Sequence, residues 1–151
     1  MTTCRVAVLG CRGRGTAAAR AYHAHPRTEI VALCDLEQDR LDALGGELGV
    51  GARYTDLDAM IARHQPDIVA IPTGTEFHDP LALRVLEYGV HIDIGKPLCV
   101  DCEQADEVLA RAREKSARIA VHHQGRAGVW MKAVAKAFDE GRIGELRHIH
   151  G

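Results

Sequence analysis

Apolar and polar positions along this chain change period repeatedly. Short aliphatic runs rich in β-branched residues give way to stripes with apolar positions three and four apart. "RVAVLG" at 5–10 reads as a strand, and the Ala-rich "TAAARAYHAHP" at 16–26, stopped by a proline, reads as a helix. "EIVALCD" at 29–35 is a second strand. In "DRLDALGGELG", Leu41, Leu44 and Leu48 keep helical spacing despite two glycines. "TDLDAMIARH" at 55–64 predicts a helix opened by a Thr55/Asp58 capping box, with Leu57, Met60, Ile61 and His64 on one face.

The alternation continues to the end of the chain. "DIVAIPTG" at 67–74 is the third strand, and Asp79 with Pro80 starts a helix that turns Ala82, Val85 and Leu86 inward and stops at Gly89. "VHIDI" at 90–94 is the fourth strand. Asp101 and Gln104 open a helix with the stripe Ala105, Val108, Leu109 and Ala112, and "RIAVHH" at 118–123 is the fifth strand. "WMKAVAKAFDEG" predicts a last helix and "ELRHIH" at 145–150 a sixth strand. Parallel neighbours cannot be joined by a tight hairpin, so repeated strand–helix alternation implies right-handed crossovers. The expected fold class is α/β, a doubly wound parallel sheet.

Composition narrows the function classes. A chain of 151 residues buries roughly two-thirds of its unfolded surface, enough for one good core. With 19 basic against 21 acidic side chains the net charge is -2, which gives no field to gather polyanions, and aromatic residues are scarce; no nucleic-acid partner is expected. No apolar run approaches a membrane span and none reads as a signal peptide, so no membrane partner is expected and the cytoplasm is the expected location. Five cysteines, an odd number, fit a reducing compartment better than a disulfide framework.

Chemistry concentrates at the first turn. In a doubly wound sheet the ligand sits beyond the carboxyl ends of the strands, where a helix N-terminus offers unpaired amides to phosphate. "VLGCRGRGTAA" supplies Gly10, Gly13 and Gly15, but Arg12 stands where the pattern G-x-G-x-x-G has its middle glycine. Gly13 keeps the loop adaptable, and Arg12 or Arg14 offers phosphate a charged donor. Asp35, 20 residues after Gly15, is placed to accept hydrogen bonds from an adenosine ribose, which favours NAD over NADP, although Arg40 nearby would suit the phosphorylated form. The competing reading of Asp35 is a helix N-cap.

Taken together, "VAVLGCRGRG", "EIVALCD", "ARYTDLDAMIARHQPDIVAIPTGTEFHDPLAL", "GVHIDIGKPL" and "EGRIGELRHIHG" make the chain similar to the N-terminal half of the glucose-fructose oxidoreductase, inositol dehydrogenase and rhizopine catabolism family, the Gfo/Idh/MocA group. The resemblance implies a Rossmann domain at 1–125, followed at 126–151 by a linker helix and the first strand of a substrate domain. It further implies that the family's C-terminal α+β domain is absent from these residues. By the same resemblance Thr73, Thr75 and His78 neighbour the cofactor. Lys96 in "GKP" polarises the reacting hydroxyl and touches cofactor and substrate, while His123, Gln124 and Arg126 face the active site, with His123 the catalytic candidate among them. Gly95 departs from the family's glutamate.

The implied activity is NAD(P)-dependent oxidation or reduction of a sugar, polyol or related hydroxy compound, with turnover not expected from this chain alone. The alternative is a non-catalytic dinucleotide-binding or interaction module. A strand with an unpaired edge at 145–150 points to a homo-oligomer. His148 and His150 supply two ligands, too few for a metal site, so no metal is expected. Cys99 and Cys102 form a C-x-x-C, but in the wrong order of elements for a thiol oxidoreductase. A methyltransferase would carry an acid before the glycines, and "VAVLG" has none.

Overall fold

Six strands order themselves so that the most apolar ones lie innermost. The computed structural model describes residues 3–145, 147 and 148. Its strands are β1 (Cys4–Leu9), β2 (Thr28–Cys34), β3 (Arg53–Tyr54), β4 (Ile68–Ile71), β5 (His91–Gly95) and β6 (Ile119–His122), in spatial order β3-β2-β1-β4-β5-β6 with every pair parallel. In β1, Val6, Ala7 and Val8 are fully buried, as expected of a strand covered on both faces. The order reverses direction between β1 and β4, which opens a crevice at their carboxyl ends. This is the expected doubly wound sheet, a Rossmann-like α/β fold.

Alternate residues of the strands feed two cores. On one face Val6, Val8, Leu33 and Ala70 meet Ala19 of α1 (Arg14–Ala24) and Leu41 and Leu44 of α2 (Gln38–Leu48). On the other, Ala7, Ile71, Ile92 and Ile94 meet α3 (Leu57–His64), α4 (His78–Glu87) and α5 (Cys102–Glu114) through Met60, Ile61, Val85, Leu86 and Val108. The predicted inward stripes of α3, α4 and α5 are in these cores except for His64 and Leu109, which are half-buried outside them, and Ala105 is half-buried against the second.

Several local expectations need correction. The N-cap of α3 is Asp56, whose Oδ1 accepts the Ala59 amide at 2.7 Å; Thr55 lies one residue too early for the predicted box. Helix α4 begins at His78 behind a 3-10 turn at Thr75–Phe77, which puts Asp79 and Pro80 inside its first turn. Asp101 caps α5 as predicted, accepting the Gln104 amide at 2.9 Å. The two-residue β3 and the short α6 (Gln124–Ala127) have no periodic signature. The predicted last helix is present as α7 (Val129–Asp139), but it buries none of its apolar side chains, leaving Trp130, Val134 and Phe138 exposed. The predicted strand at 145–150 falls partly outside the described residues, and Glu145, Arg147 and His148 are not in a strand. No helix among the described residues is long and apolar enough to cross a membrane.

All five cysteines are free thiols. Burial, then the neighbouring Asp35 charge, pushes the Cys11 thiol up to about 12. Burial, followed by the charges of Asp56 and Asp35, does the same to Cys34. Unfolded thiols ionise near 9.0, so this contribution to stability is fully present below pH 9 and is lost as the pH rises toward 12.

Two outcomes test this packing. Leu86→Ala, at a fully buried position, should cost about 2–5 kcal/mol in urea unfolding, whereas Val134→Ala on the exposed face of α7 should stay within ~0.5 kcal/mol. With iodoacetamide at pH 8, mass spectrometry should find the exposed Cys102 alkylated in the folded chain, and Cys11 and Cys34 alkylated only after denaturant is added.

Candidate functional site

The glycine turn is built by the backbone it must adopt. Gly10 has φ +101°, which a side chain would oppose, and its amide donates to the Cys34 carbonyl oxygen at 2.7 Å. Gly13 has φ +45° and precedes α1 with no side-chain cap, so of the first amides of that helix those of Arg14 and Thr16 stay open to a ligand. Gly15 lies so close beneath the turn that a Cβ there would run into the Gly10 carbonyl oxygen. Arg12, by contrast, has no positive φ. The conformation that needs a glycine has moved to Gly13, so Arg12 costs the turn nothing and brings an exposed guanidinium to its mouth. The turn is tightened by Gly15 donating to the Arg12 carbonyl at 2.8 Å and by the Thr16 hydroxyl donating to the Cys11 carbonyl at 2.9 Å.

Asp35, just beyond β2, is 8% exposed and holds this turn from below. Its Oδ2 accepts the Cys11 amide at 2.6 Å, and its Oδ1 accepts the Glu37 amide at 2.9 Å and faces the Arg40 guanidinium at 3.4 Å. The cap reading of Asp35 does not hold: the N-cap of α2 is Glu37, which makes no side-chain cap bond. The carboxylate thus ties the glycine turn to the end of β2 while lining the groove above both.

That groove, about 710 Å³, runs along the carboxyl ends of β1, β2 and β4. It brings together Gly10, Arg12, Gly13, Arg14, Asp35 and Thr73 of the predicted residues. Gly15 lies directly beneath, packed on the Gly10 carbonyl. Thr73 contributes a buried hydroxyl oxygen with no hydrogen-bond partner in the protein, whereas buried polar atoms are normally paired. An orphaned hydroxyl, a turn with glycine contacts and a carboxylate at the strand end fit a dinucleotide. Arg84, Asp56, Glu76 and Phe77 also line the groove and went unpredicted: Asp56 and Arg84 reach it through the packing of α3 and α4, and Glu76 and Phe77 through the 3-10 turn that follows Thr73.

The remaining predicted residues lie elsewhere. Gln124 lines a neighbouring cavity of about 270 Å³ with Asp93, Gly95 and His122, and Arg14 and Pro72 line both cavities, so the two adjoin. Thr75 opens the 3-10 turn without lining either cavity. His78 is 1% exposed and also lines neither; its Nδ1 is 2.8 Å from the Pro97 carbonyl oxygen and its Nε2 is 3.3 Å from that of Thr73. Lys96 is exposed just past β5, and His123 and Arg126 are exposed around α6. Among the described residues no group of three or more His, Cys, Asp or Glu side chains could hold a metal ion.

Known proteins of similar sequence share this fold. An inositol 2-dehydrogenase of Rhizobium meliloti (strain 1021) is 31% identical over 147 residues, covering 97% of this chain and 44% of that enzyme. A crystal structure of an oxidoreductase from Agrobacterium radiobacter in complex with NAD+, L-tartaric acid and magnesium superposes with a TM-score of 0.89 at 26% identity, over 95% of this chain and 42% of that one. A 3-ketoreductase from Actinomadura kijaniata in complex with NADP gives a TM-score of 0.88 at 30% identity, over 97% of this chain and 47% of that one. The chain therefore spans less than half the length of these relatives. The family model "Oxidoreductase family, NAD-binding Rossmann fold" matches residues 4–123, and the chain belongs to that family, Gfo/Idh/MocA.

Proposed function

We propose that this chain is the dinucleotide-binding part of an NAD(P)-dependent oxidoreductase acting on a sugar, polyol or related hydroxy compound. The observation that carries the reading is the Asp35 carboxylate, which lines the groove while holding the Cys11 amide at 2.6 Å. The amides at the start of α1, with Arg12 and Arg14, take the pyrophosphate, and Asp35 takes the adenosine ribose. NAD is preferred to NADP, because a 2'-phosphate would meet the carboxylate; Arg40, 3.4 Å from Asp35, moderates that preference. The Thr73 hydroxyl finds its missing partner on the nicotinamide half.

The bound nicotinamide supplies the hydride-accepting carbon. Lys96 polarises the reacting hydroxyl, and Gln124 and Arg126 bind substrate hydroxyl or carboxylate groups. His123 is the catalytic candidate beside them. The exposure of Lys96, His123 and Arg126 supports binding without turnover by this chain on its own. The same exposure favours the second reading, a non-catalytic dinucleotide-binding module. We place the domain boundary near 125, after which α7 presents its apolar stripe to a further domain or to a second copy in a homo-oligomer. Free cysteines throughout support a cytoplasmic location.

NADH fluorescence titration should show saturable binding to the chain, tighter than for NADPH. Asp35→Ala, checked for folding by thermal melting, should weaken NADH binding by at least about tenfold, ~1.4 kcal/mol. Folded chain that saturates with neither nicotinamide coenzyme would overturn the reading.

A further inference from the structure

We infer that His78 is a positioning residue that latches the Lys96 loop to the cofactor loop, so that what fills the groove is felt at Lys96. Two loops meet at this imidazole. One follows β4 and carries Thr73, which lines the groove; the other follows β5 and carries Lys96 and Pro97. The ring sits at the first residue of α4 and is 1% exposed. Both ring nitrogens face carbonyl oxygens, Nδ1 that of Pro97 at 2.8 Å and Nε2 that of Thr73 at 3.3 Å. A carbonyl only accepts, and a neutral imidazole has one N–H. The shorter distance assigns that N–H to the bond with Pro97; Nε2 then donates nothing to Thr73, and the ring is tied to that loop by the short run of chain from Thr73 to His78.

Burial makes this bond consequential. Lys96 and Pro97 are themselves exposed, so their own side chains do little to fix the loop, while the Pro97 carbonyl reaches inward to a ring that cannot move without disturbing the core around α4. Gly95 closes the arrangement from the other side. A Cβ built at Gly95 would lie 3.4 Å from Cε1 and 3.5 Å from Nε2 of His78 and 4.0 Å from the Ile71 carbonyl oxygen. The residue before Lys96 is therefore packed against the same ring that bonds the residue after it. A single methyl fits there at ordinary contact distance, and a side chain branched at Cβ would crowd further atoms beside the imidazole. This gives Gly95, which departs from the family's glutamate, a positive role: it keeps its own side chain off this side of the ring.

Only the choice of ligand in this proposal rests on the dinucleotide reading. Hydrogen–deuterium exchange resolves the peptides covering 72–77 and 95–99 and is run with and without NADH. In the native chain, NADH should slow exchange in both peptides. His78→Leu, which fills the space without a donor, should still melt cooperatively and bind NADH within about threefold of the native chain. It should protect 72–77 but leave 95–99 exchanging at least threefold faster, with or without ligand. His78→Asn, whose amide stands near the Nδ1 position, should restore slow exchange at 95–99. Should His78→Leu fail to fold, Gly95→Val supplies the second lever: it should speed exchange at 95–99, while Gly95→Ala should not.

Native exchange rates at 95–99 in His78→Leu, or in Gly95→Val where Leu fails to fold, would overturn the latch even if NADH binds normally. The absence of NADH binding to the native chain would instead overturn the dinucleotide reading. The latch would then stand or fall on the exchange rates without ligand.

Discussion

The contact on which the rest of the site depends is the one between the Asp35 carboxylate and the Cys11 amide. A glycine turn is entropically expensive to order, and nothing in "GCRGRG" holds itself in shape beyond the Thr16 and Gly15 bonds. The carboxylate supplies the external restraint. Because Asp35 is nearly buried and Cys11 is buried beside it, the bond is made where water competes poorly. One side chain thus sets both the height of the glycine turn and the position of the acceptor proposed to meet the ribose. The doubly wound sheet makes this possible, since β1 and β2 lie side by side with Leu9 opposite Cys34, bringing the two strand ends together.

The architecture was legible in the sequence for a physical reason. Strands buried on both faces must be apolar throughout, so β1, β2 and β4 are visible as aliphatic runs, and the helices between them must show one inward stripe. What was not legible is equally physical. Two residues of β3 are too few to carry a period, and α6 is a single turn. The cap of α3 could be placed at Thr55 or Asp56 by type, and only the backbone at Asp56 decides it.

At the site, residue type revealed the turn and Asp35, and the structure explained Arg12: the glycine requirement sits one residue later, at Gly13. His78 shows the limit of reading polar residues near a strand end as ligand contacts. Sequence shows a histidine in the right loop but not that its ring is turned into the protein between two carbonyls. Arg84 shows the reverse case, a residue on a helix of ordinary pattern that reaches the groove because α4 packs beside it. The segment of α7 was read correctly as a helix, yet pattern alone does not say whether its apolar side chains are covered within the same chain.

A crystal structure of this chain with NADH tests the central claim most directly. The account predicts the diphosphate within hydrogen-bond distance of the amides between Arg12 and Thr16, a ribose hydroxyl on Asp35, and the bond from Cys11 to that carboxylate still in place. A coenzyme bound away from this turn, or an Asp35 that has released Cys11 to bind it, would contradict the account.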